Sequence, residues 1–199
     1  SLLKSLQMSK NIKGVGIDFS NKLIDLAKKN SKNLDFKCFD MLKIKSLKIK
    51  LKSFDYILTK RSVQNLTTWK NQKYFINNLH YFCNKKTKIF LIESSKNSLI
   101  NINNFRKKLK LKAIQMPWHN LYFDDKKILK TKFNKIKIDS IDEIFSTYYF
   151  MSRVINGALA KKLNKSPQYG DFLNKIGWVL PQGTIKNFSQ LKIYKFKKK

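Results

Sequence analysis

The sequence predicts an α/β fold in which helices cover both faces of a mostly parallel β-sheet. Apolar, β-branched segments of strand length alternate along the chain with segments of helical periodicity, and several strand segments are nearly continuous apolar runs. Strands of parallel sheets are buried on both faces and show such runs. The segment Gln190–Lys197 alternates instead, and it follows Pro181 and Gly183. It therefore predicts one antiparallel strand at the edge of the sheet.

A strand and a helix in immediate succession form the most informative part of the chain. Two β-branched residues between glycines indicate a strand over Lys13–Asp18, and Ser20 is a good N-cap for a helix over Asn21–Lys29. The apolar face of that helix is formed by Leu23, Ile24, Leu26 and Ala27. An acid at the carboxyl end of a sheet strand is well placed to hydrogen-bond both hydroxyls of a ribose. Asp18 therefore predicts a cofactor that contains a nucleoside.

The remaining elements follow from the same patterns. Further strands are predicted over Leu34–Phe39, Phe54–Thr59, Lys88–Glu93 and Ile136–Ile138. Helices are predicted over Leu2–Gln7, Thr68–Cys83, Ile102–Leu109 and Ser140–Phe145. The segment Ser146–Leu163 has a mixed pattern and is predicted to be helical from Met151 onward. Residues 42–52 fit an edge strand or a loop equally well. No internal repeat or linker interrupts the chain, which predicts a single domain over residues 1–199.

The formal net charge of +31 has two interpretations. Such a charge is typical of proteins that bind nucleic acid or an anionic membrane surface. However, only three of the 43 basic residues are Arg, the residue best suited to grip phosphate with two hydrogen bonds. Lys, Asn, Ile and Phe are all abundant and share AT-rich codons, so a genome of low GC content also accounts for the charge.

Cysteines, histidines and apolar runs point away from several other classes. No apolar run is long enough to cross a bilayer, and no signal peptide is visible, so no membrane insertion is expected. Cys38 and Cys83 lie in apolar contexts and are interpreted as reduced core residues of a cytoplasmic protein. Two Cys and two His without ligand spacing predict no metal site.

In sequence order, these segments resemble the class I S-adenosylmethionine-dependent methyltransferases over nearly the whole chain. The matching segments, from that family's second strand to its last, are Gly16–Ser20 with the helix after it, Phe36–Leu42, Phe54–Ile57, Lys88–Glu93 and Ile193–Phe196. Met116–Asp124 is similar to a segment of small-molecule methyltransferases. The resemblance implies a Rossmann-like class I methyltransferase sandwich and S-adenosyl-L-methionine as the cofactor.

The resemblance also implies roles for residues that follow the strands. The cofactor-binding set that it implies is Asp18, Phe19, Asp40, Met41, Thr59 and Lys60. In this set Asp18 holds the ribose hydroxyls, Phe19 packs on the adenine face, and Asp40 accepts the adenine amino group. The two aspartates also suit strand-end and turn positions, so purely local capping roles stay open for both.

The residues expected to bind the molecule that accepts the methyl group come from two loops and a helix. The substrate-binding set is Arg61, Trp118, Asn120, Tyr122 and Tyr149. His119 is the candidate catalytic residue, because imidazole titrates near neutral pH and can take a proton from a hydroxyl or amine as the methyl group moves. A polar surface role is the alternative for His119. Tyr148 and Arg153 could also line this side, with core packing as the alternative for the tyrosine.

The family's first strand and its glycine-rich loop have no counterpart in this sequence. No GxGxG motif occurs, and Gly14-Val15-Gly16 belongs to a strand. We therefore expect the chain to be a fragment, truncated at its amino end before or within the first helix. A sheet that lacks this strand would leave backbone groups of its neighbours unpaired.

The leading functional prediction is methyl transfer to a small-molecule or glycan-like metabolite. One alternative is an RNA methyltransferase that uses the basic surface, although the Asn-Pro-Pro-aromatic motif of many base-modifying enzymes is absent at Thr59–Ser62. A second is a nicotinamide dinucleotide dehydrogenase, on the strength of Asp18. A third is a non-catalytic methyltransferase-like module. The sequence leaves the acceptor and the oligomeric state open.

Overall fold

The computed structural model describes residues 12–31, 34–49 and 53–199. The chain divides into two compact units, one within Ser1–Lys50 and one within Leu51–Lys199. The helix predicted over Leu2–Gln7 lies outside the described residues, as do residues 50–52 of the ambiguous segment. The single domain over residues 1–199 stays a prediction.

The first unit contains a βαβ motif followed by a short 3₁₀ turn. Its elements are β1 (Gly14–Asp18), α1 (Asn21–Asn30), β2 (Leu34–Cys38) and the 3₁₀ turn Met41–Ser46. β1 and β2 are parallel, with Asp18 opposite Cys38. A Cβ on Gly16 would lie 2.6 Å from the Phe36 ring, so glycine lets this buried ring pack against β1. The predicted N-cap of α1 is confirmed, because the Ser20 side chain accepts a hydrogen bond from the Leu23 N–H.

Burial in the first unit is less extensive than the apolar pattern suggests. On α1, Ile24 is buried, whereas Leu23 and Leu26 are exposed. Cys38 is exposed as well, so its assignment to the core is wrong, although it is a free thiol as expected. The described part of this sheet has two strands, and such a narrow surface covers few side chains of the helix.

The second unit alternates strands and helices around a four-stranded sheet. Its strands are β3 (Phe54–Lys60), β4 (Cys83–Ser94), β5 (Ile136–Glu143) and β6 (Leu191–Lys198). Its helices are α2 (Trp69–Asn78), α3 (Lys96–Lys108), α4 (Asp125–Lys130), α5 (Ser146–Phe150), α6 (Asn156–Lys162) and α7 (Phe172–Val179). A π-helical turn over Met151–Ile155 joins α5 to α6. Two 3₁₀ turns span Val63–Asn65 and Leu79–Phe82.

The strand order in this sheet is β3-β4-β6-β5, and β6 runs antiparallel to both of its neighbours. The predicted α/β class, with a mostly parallel sheet and one antiparallel strand, is thereby confirmed. The edge position predicted for that strand is wrong, because β6 lies between β4 and β5. Carboxylates of β5 and α4 pair with its alternating lysines: Lys192 with Asp125 and Glu143, Lys195 with Asp142, and Lys197 with Asp139.

Two further assignments differ from the structure. The helix predicted over Ser140–Phe145 is wrong, because β5 continues to Glu143 in register with β6. The strand predicted over Phe54–Thr59 is confirmed, but its burial on both faces is not. Tyr56 is 60% exposed, because β3 is the outermost strand of the described four-stranded sheet.

The core of the second unit lies on β4 and β6. Ile89 and Leu91 of β4 and Tyr194 of β6 are fully buried. Phe123 packs edge-on against Tyr194, with ring centroids 4.9 Å apart. Phe123 also forms an isolated β-bridge with Ser95, the first residue after β4. Across the three described ranges, the helices are too short or too polar to span a membrane.

Candidate active site

The carboxyl ends of β3 and β4 lie side by side in the second unit. Lys60, which is exposed, is opposite Ile92 in this parallel pair, so the residues after both strands emerge at one edge of the sheet. Ligands of α/β sheets bind at this edge. Arg61 follows β3 with a φ of 54°, a left-handed conformation that is uncommon for a residue with a side chain. Its N–H donates to the Ile92 carbonyl at 2.8 Å, which ties the turn to β4.

Glu93 organises the turn after β3. Its side chain is fully buried. Oε1 accepts hydrogen bonds from Thr59 Oγ1 at 2.8 Å, from the Ser62 N–H at 3.2 Å and from the Val63 N–H at 3.1 Å. Oε2 accepts from the Gln64 N–H at 3.2 Å. Burial raises the pKa of Glu93 above its ordinary value, and these hydrogen bonds oppose the shift.

Two glutamines attach the next loop to the same edge. The Gln64 carbonyl accepts from the Leu121 N–H at 2.7 Å, and Gln72 Nε2 donates to the Leu121 carbonyl at 2.7 Å. Gln64 Oε1 also accepts from the Ser94 N–H at 3.1 Å, while the Phe123 N–H donates to the Ser94 carbonyl at 2.8 Å. The loop over residues 117–123 therefore crosses the ends of β3 and β4.

The residues of this loop that were predicted to bind the methyl acceptor lie in two different environments. Asn120 and Tyr122 are buried, and the described residues give Asn120 Oδ1 no hydrogen-bond partner. Gln190 Nε2 lies 3.5 Å from the Tyr122 hydroxyl. In contrast, Trp118 is 92% exposed and packs edge-on against His119, which is exposed too. The catalytic role of His119 stays a prediction.

The segment from α5 into the π-helical turn supplies the remaining acceptor candidates. Tyr149 packs against the buried cluster that contains Val154. Burial raises the pKa of Tyr149, and the charges of Arg153 and, more weakly, Arg61 lower it. The Tyr122 hydroxyl is a smaller influence, and it raises the pKa of Tyr149. Tyr149 and Arg153 are four residues apart on this helical segment, so they lie on one face of it.

The first unit carries the other predicted cofactor residues. Asp18 Oδ1 accepts from the Ser20 N–H at 2.8 Å, and Asp40 Oδ1 accepts from the Leu42 N–H at 2.8 Å. Both aspartates therefore have the local capping role that was left open. The second carboxylate oxygen of each accepts no hydrogen bond from a described residue. Phe19 is 79% exposed beside Asp18, and Met41 begins the 3₁₀ turn after Asp40.

Sequence reasoning missed Glu93, Gln64 and Gln72. Glu93 was assigned only as the last residue of a strand, and the two glutamines fall in a turn and on a helix face. An acid at the end of an otherwise apolar strand is the one signal that marks this group in the sequence.

A family model described as a methyltransferase domain matches residues 2–131. A search of curated proteins finds no match.

Several solved structures share the fold. The plantazolicin methyltransferase BamL, in complex with a triazolic desmethylPZN analog and SAH, is 14% identical with a TM-score of 0.57, over 100% of this chain and 72% of that one. An S-adenosylmethionine-dependent methyltransferase from Clostridium acetobutylicum ATCC 824 is 12% identical with a TM-score of 0.58, over 98% and 78%. The [4+2]-cyclase SpnF is 16% identical with a TM-score of 0.57, over 98% and 69%. Identities this low establish likeness of fold only.

Proposed function

Because the chain belongs to the methyltransferase domain family, we propose that it transfers a methyl group from S-adenosylmethionine, its cofactor, to a small-molecule or glycan-like acceptor. The observation that supports this class of methyl acceptor is the set of groups at the carboxyl ends of β3 and β4. A strand-end turn meets there with a loop that carries a buried amide and tyrosine. The segment over residues 188–190 is hydrogen-bonded to the start of α5 and to the tyrosine of that loop. Aromatic side chains with a few convergent polar groups are typical of small-molecule sites.

The residues of the first unit fit the nucleoside part of the cofactor. Asp18 ends β1, and Asp40 follows the neighbouring parallel strand β2 by two residues. Each carboxylate has one oxygen that accepts no hydrogen bond from a described residue. Such oxygens can accept hydrogen bonds from a ribose diol or an adenine amino group. We assign Asp18 to the ribose, Phe19 to the adenine face, and Asp40 with the Met41 backbone to the adenine edge. Thr59 and Lys60 complete the proposed cofactor set. When bound, S-adenosylmethionine supplies a methyl group activated by its sulfonium centre.

The chain's own contribution to catalysis is mainly positioning. Arg61, Tyr122 and Tyr149 hold the acceptor, with Trp118 at the exposed end of the loop. The unpartnered Asn120 Oδ1 accepts a hydrogen bond from an acceptor hydroxyl or amine. His119 takes the proton that the acceptor atom releases as the methyl group moves.

The experiment that tests the proposal is calorimetric titration of the full chain with S-adenosylhomocysteine. Asp18→Asn keeps the oxygen that accepts from Ser20 but removes the charge, so the local turn is retained. We expect the affinity to fall about tenfold or more, since a hydrogen bond to a charged group contributes about 1.5–3 kcal/mol.

Asp25→Asn is the matched control, because Asp25 is an exposed acid on α1 and its replacement removes the same charge. Its affinity is expected to match that of the wild type. Equal affinities of the wild type and Asp18→Asn would refute the ribose assignment. Absence of binding by the wild type would favour the non-catalytic module.

A further inference from the structure

Gln190 lies beside the carboxyl end of β4. Its carbonyl accepts a hydrogen bond at 2.8 Å from the N–H of Ser95, the first residue after the strand. The loop over residues 117–123 is attached to the same serine, which forms an isolated β-bridge with Phe123. The side chain of Gln190 also reaches this loop, because Nε2 lies 3.5 Å from the Tyr122 hydroxyl. Two contacts therefore place Gln190 at the edge of the sheet where the methyl acceptor is proposed to bind.

Gln190 and Tyr122 together leave one hydrogen-bond donor and one accepting oxygen unused. In their contact the amide nitrogen donates and the tyrosine oxygen accepts. The hydroxyl hydrogen of Tyr122 has no partner among the described residues. Gln190 Oε1 is a buried oxygen, and it accepts no hydrogen bond from a described residue. A tyrosine hydroxyl can donate while it accepts, and an amide oxygen carries two lone pairs, so both groups can bind a ligand.

The loop carries a further unused oxygen two residues before Tyr122. Asn120 is 8% exposed and Tyr122 is 7% exposed. Five buried side-chain oxygens have no hydrogen-bond partner among the described residues, and two of them are Asn120 Oδ1 and Gln190 Oε1. Most buried polar atoms of folded proteins have such a partner. Their concentration on this loop and on the glutamine that contacts it indicates that a polar ligand binds here.

The charge of these side chains limits the kind of ligand. Asn120, Tyr122 and Gln190 are all neutral, so a charged group would lose its water without a counter-charge from them. A carboxamide or a hydroxyl group is neutral and both donates and accepts hydrogen bonds. Such a group matches the accepting oxygen of the glutamine and the donor of the tyrosine.

We propose that Gln190 and Tyr122 bind a neutral carboxamide or hydroxyl group of the methyl acceptor. Gln190 Oε1 accepts a hydrogen bond from the N–H or O–H of this group, and the Tyr122 hydroxyl donates to its oxygen. Gln190 Nε2 orients the tyrosine hydroxyl, and Asn120 Oδ1 offers a second accepting oxygen from the same loop. This inference rests on the proposed function and narrows the methyl acceptor to a molecule with such a group.

Two probes of similar size test the site on the full chain. Benzamide has both N–H donors and a carbonyl, whereas methyl benzoate keeps the carbonyl and lacks the donors. With ¹⁵N in the glutamine side chains, the Gln190 signal of the NMR spectrum is the one that Gln190→Met removes. We expect benzamide to shift this signal saturably. It is also expected to bind about fivefold more tightly than methyl benzoate, as one additional hydrogen bond predicts.

Two substitutions separate the contributions of the glutamine and the tyrosine. Affinities are measured from the backbone amide signals of the loop over residues 117–123, which every variant retains. Gln190→Met removes the accepting oxygen, so the preference for benzamide is expected to disappear. Tyr122→Phe removes the donor to the carbonyl of both probes, so both affinities are expected to fall by the same factor, about twofold to tenfold. Gln168→Met and Tyr169→Phe make the same changes at exposed positions and are expected to leave both affinities unchanged.

The result that contradicts the proposal can be obtained from the wild type alone. Absence of a saturable shift with benzamide, or equal affinities for the two probes, would overturn the proposal even where a substitution unfolds the chain. A preference for benzamide that persists in Gln190→Met would overturn it as well.

A competition titration distinguishes the methyl acceptor from the cofactor. Saturating S-adenosylhomocysteine is expected to leave benzamide binding intact, and competition between the two would assign these groups to the cofactor and overturn the proposal. Failure of the wild type to bind S-adenosylhomocysteine would refute the proposed function, whereas the benzamide titration reports this site independently.

Discussion

Gly157→Ala tests whether Arg106 holds the π-helical turn. In an exposed helix, replacing glycine by alanine stabilises by about 0.5–1 kcal/mol, because glycine loses more backbone entropy on folding. Here the added Cβ would lie 2.8 Å from Arg106 Nη1 and displace the guanidinium from the Arg153 carbonyl. The loss of a hydrogen bond from a charged donor costs about 1.5–3 kcal/mol. We therefore expect Gly157→Ala to be destabilising by about 0.5–2.5 kcal/mol, as the difference of these two effects.

The effect of Gly157→Ala on the free energy of unfolding is expected to change sign when the Arg106 guanidinium is absent. In an Arg106→Ala background the Cβ meets no guanidinium, so Gly157→Ala is expected to stabilise by about 0.5–1 kcal/mol. The free energies of unfolding of the four proteins, measured in urea, form a double-mutant cycle. Gly170→Ala is the control, because a Cβ there has no atom within 4 Å, and its effect is expected to be the same in both backgrounds. The same effect of Gly157→Ala in both backgrounds would refute the role of Arg106.

Two further predictions concern buried ionisable groups. Because the folded-state pKa of Glu93 is raised above its ordinary value of 4.5, its contribution to stability is present below pH 4.5 and is lost as the pH rises through the folded pKa. Glu93→Gln is therefore expected to flatten the fall in unfolding free energy over that range, and parallel pH profiles of the two proteins would contradict this. Burial raises the pKa of Cys83 to about 11, so iodoacetamide is expected to alkylate the exposed Cys38 well before Cys83, as mass spectrometry can measure; equal rates would be the contrary result.

Strands were predictable where burial makes them apolar, and their ends were not. β4 begins at Cys83, five residues before the strand predicted from Lys88, because its first residues are mostly polar and carry no apolar pattern. The end of β5 was predicted as a helix for a related reason. The spacing of Ser140 and Glu143 fits the capping box of a helix. In the sheet, however, Asp142 and Glu143 pair with Lys195 and Lys192 of β6. Such pairs stabilise a strand only once its partner is known.

The same limit applies to the candidate site. Asp18 and Asp40 could be proposed from the sequence because each lies at or just after the end of its own strand within a local pattern. Glu93 was missed, since its four donors come from Thr59–Gln64, about thirty residues earlier in the chain. The packing of Tyr149 against the cluster that contains Val154 was also out of reach, because it depends on where the π-helical segment packs.

Lys192 shows that a buried charge alone does not select arginine in this chain. It is nearly fully buried, and its Nζ lies 2.9 Å from both Asp125 and Glu143. A compact ammonium serves two carboxylates well, so lysine meets the need at this position. Arg106, in contrast, reaches two carbonyl groups with Nε and Nη1 at once, which requires the fixed spacing of a guanidinium.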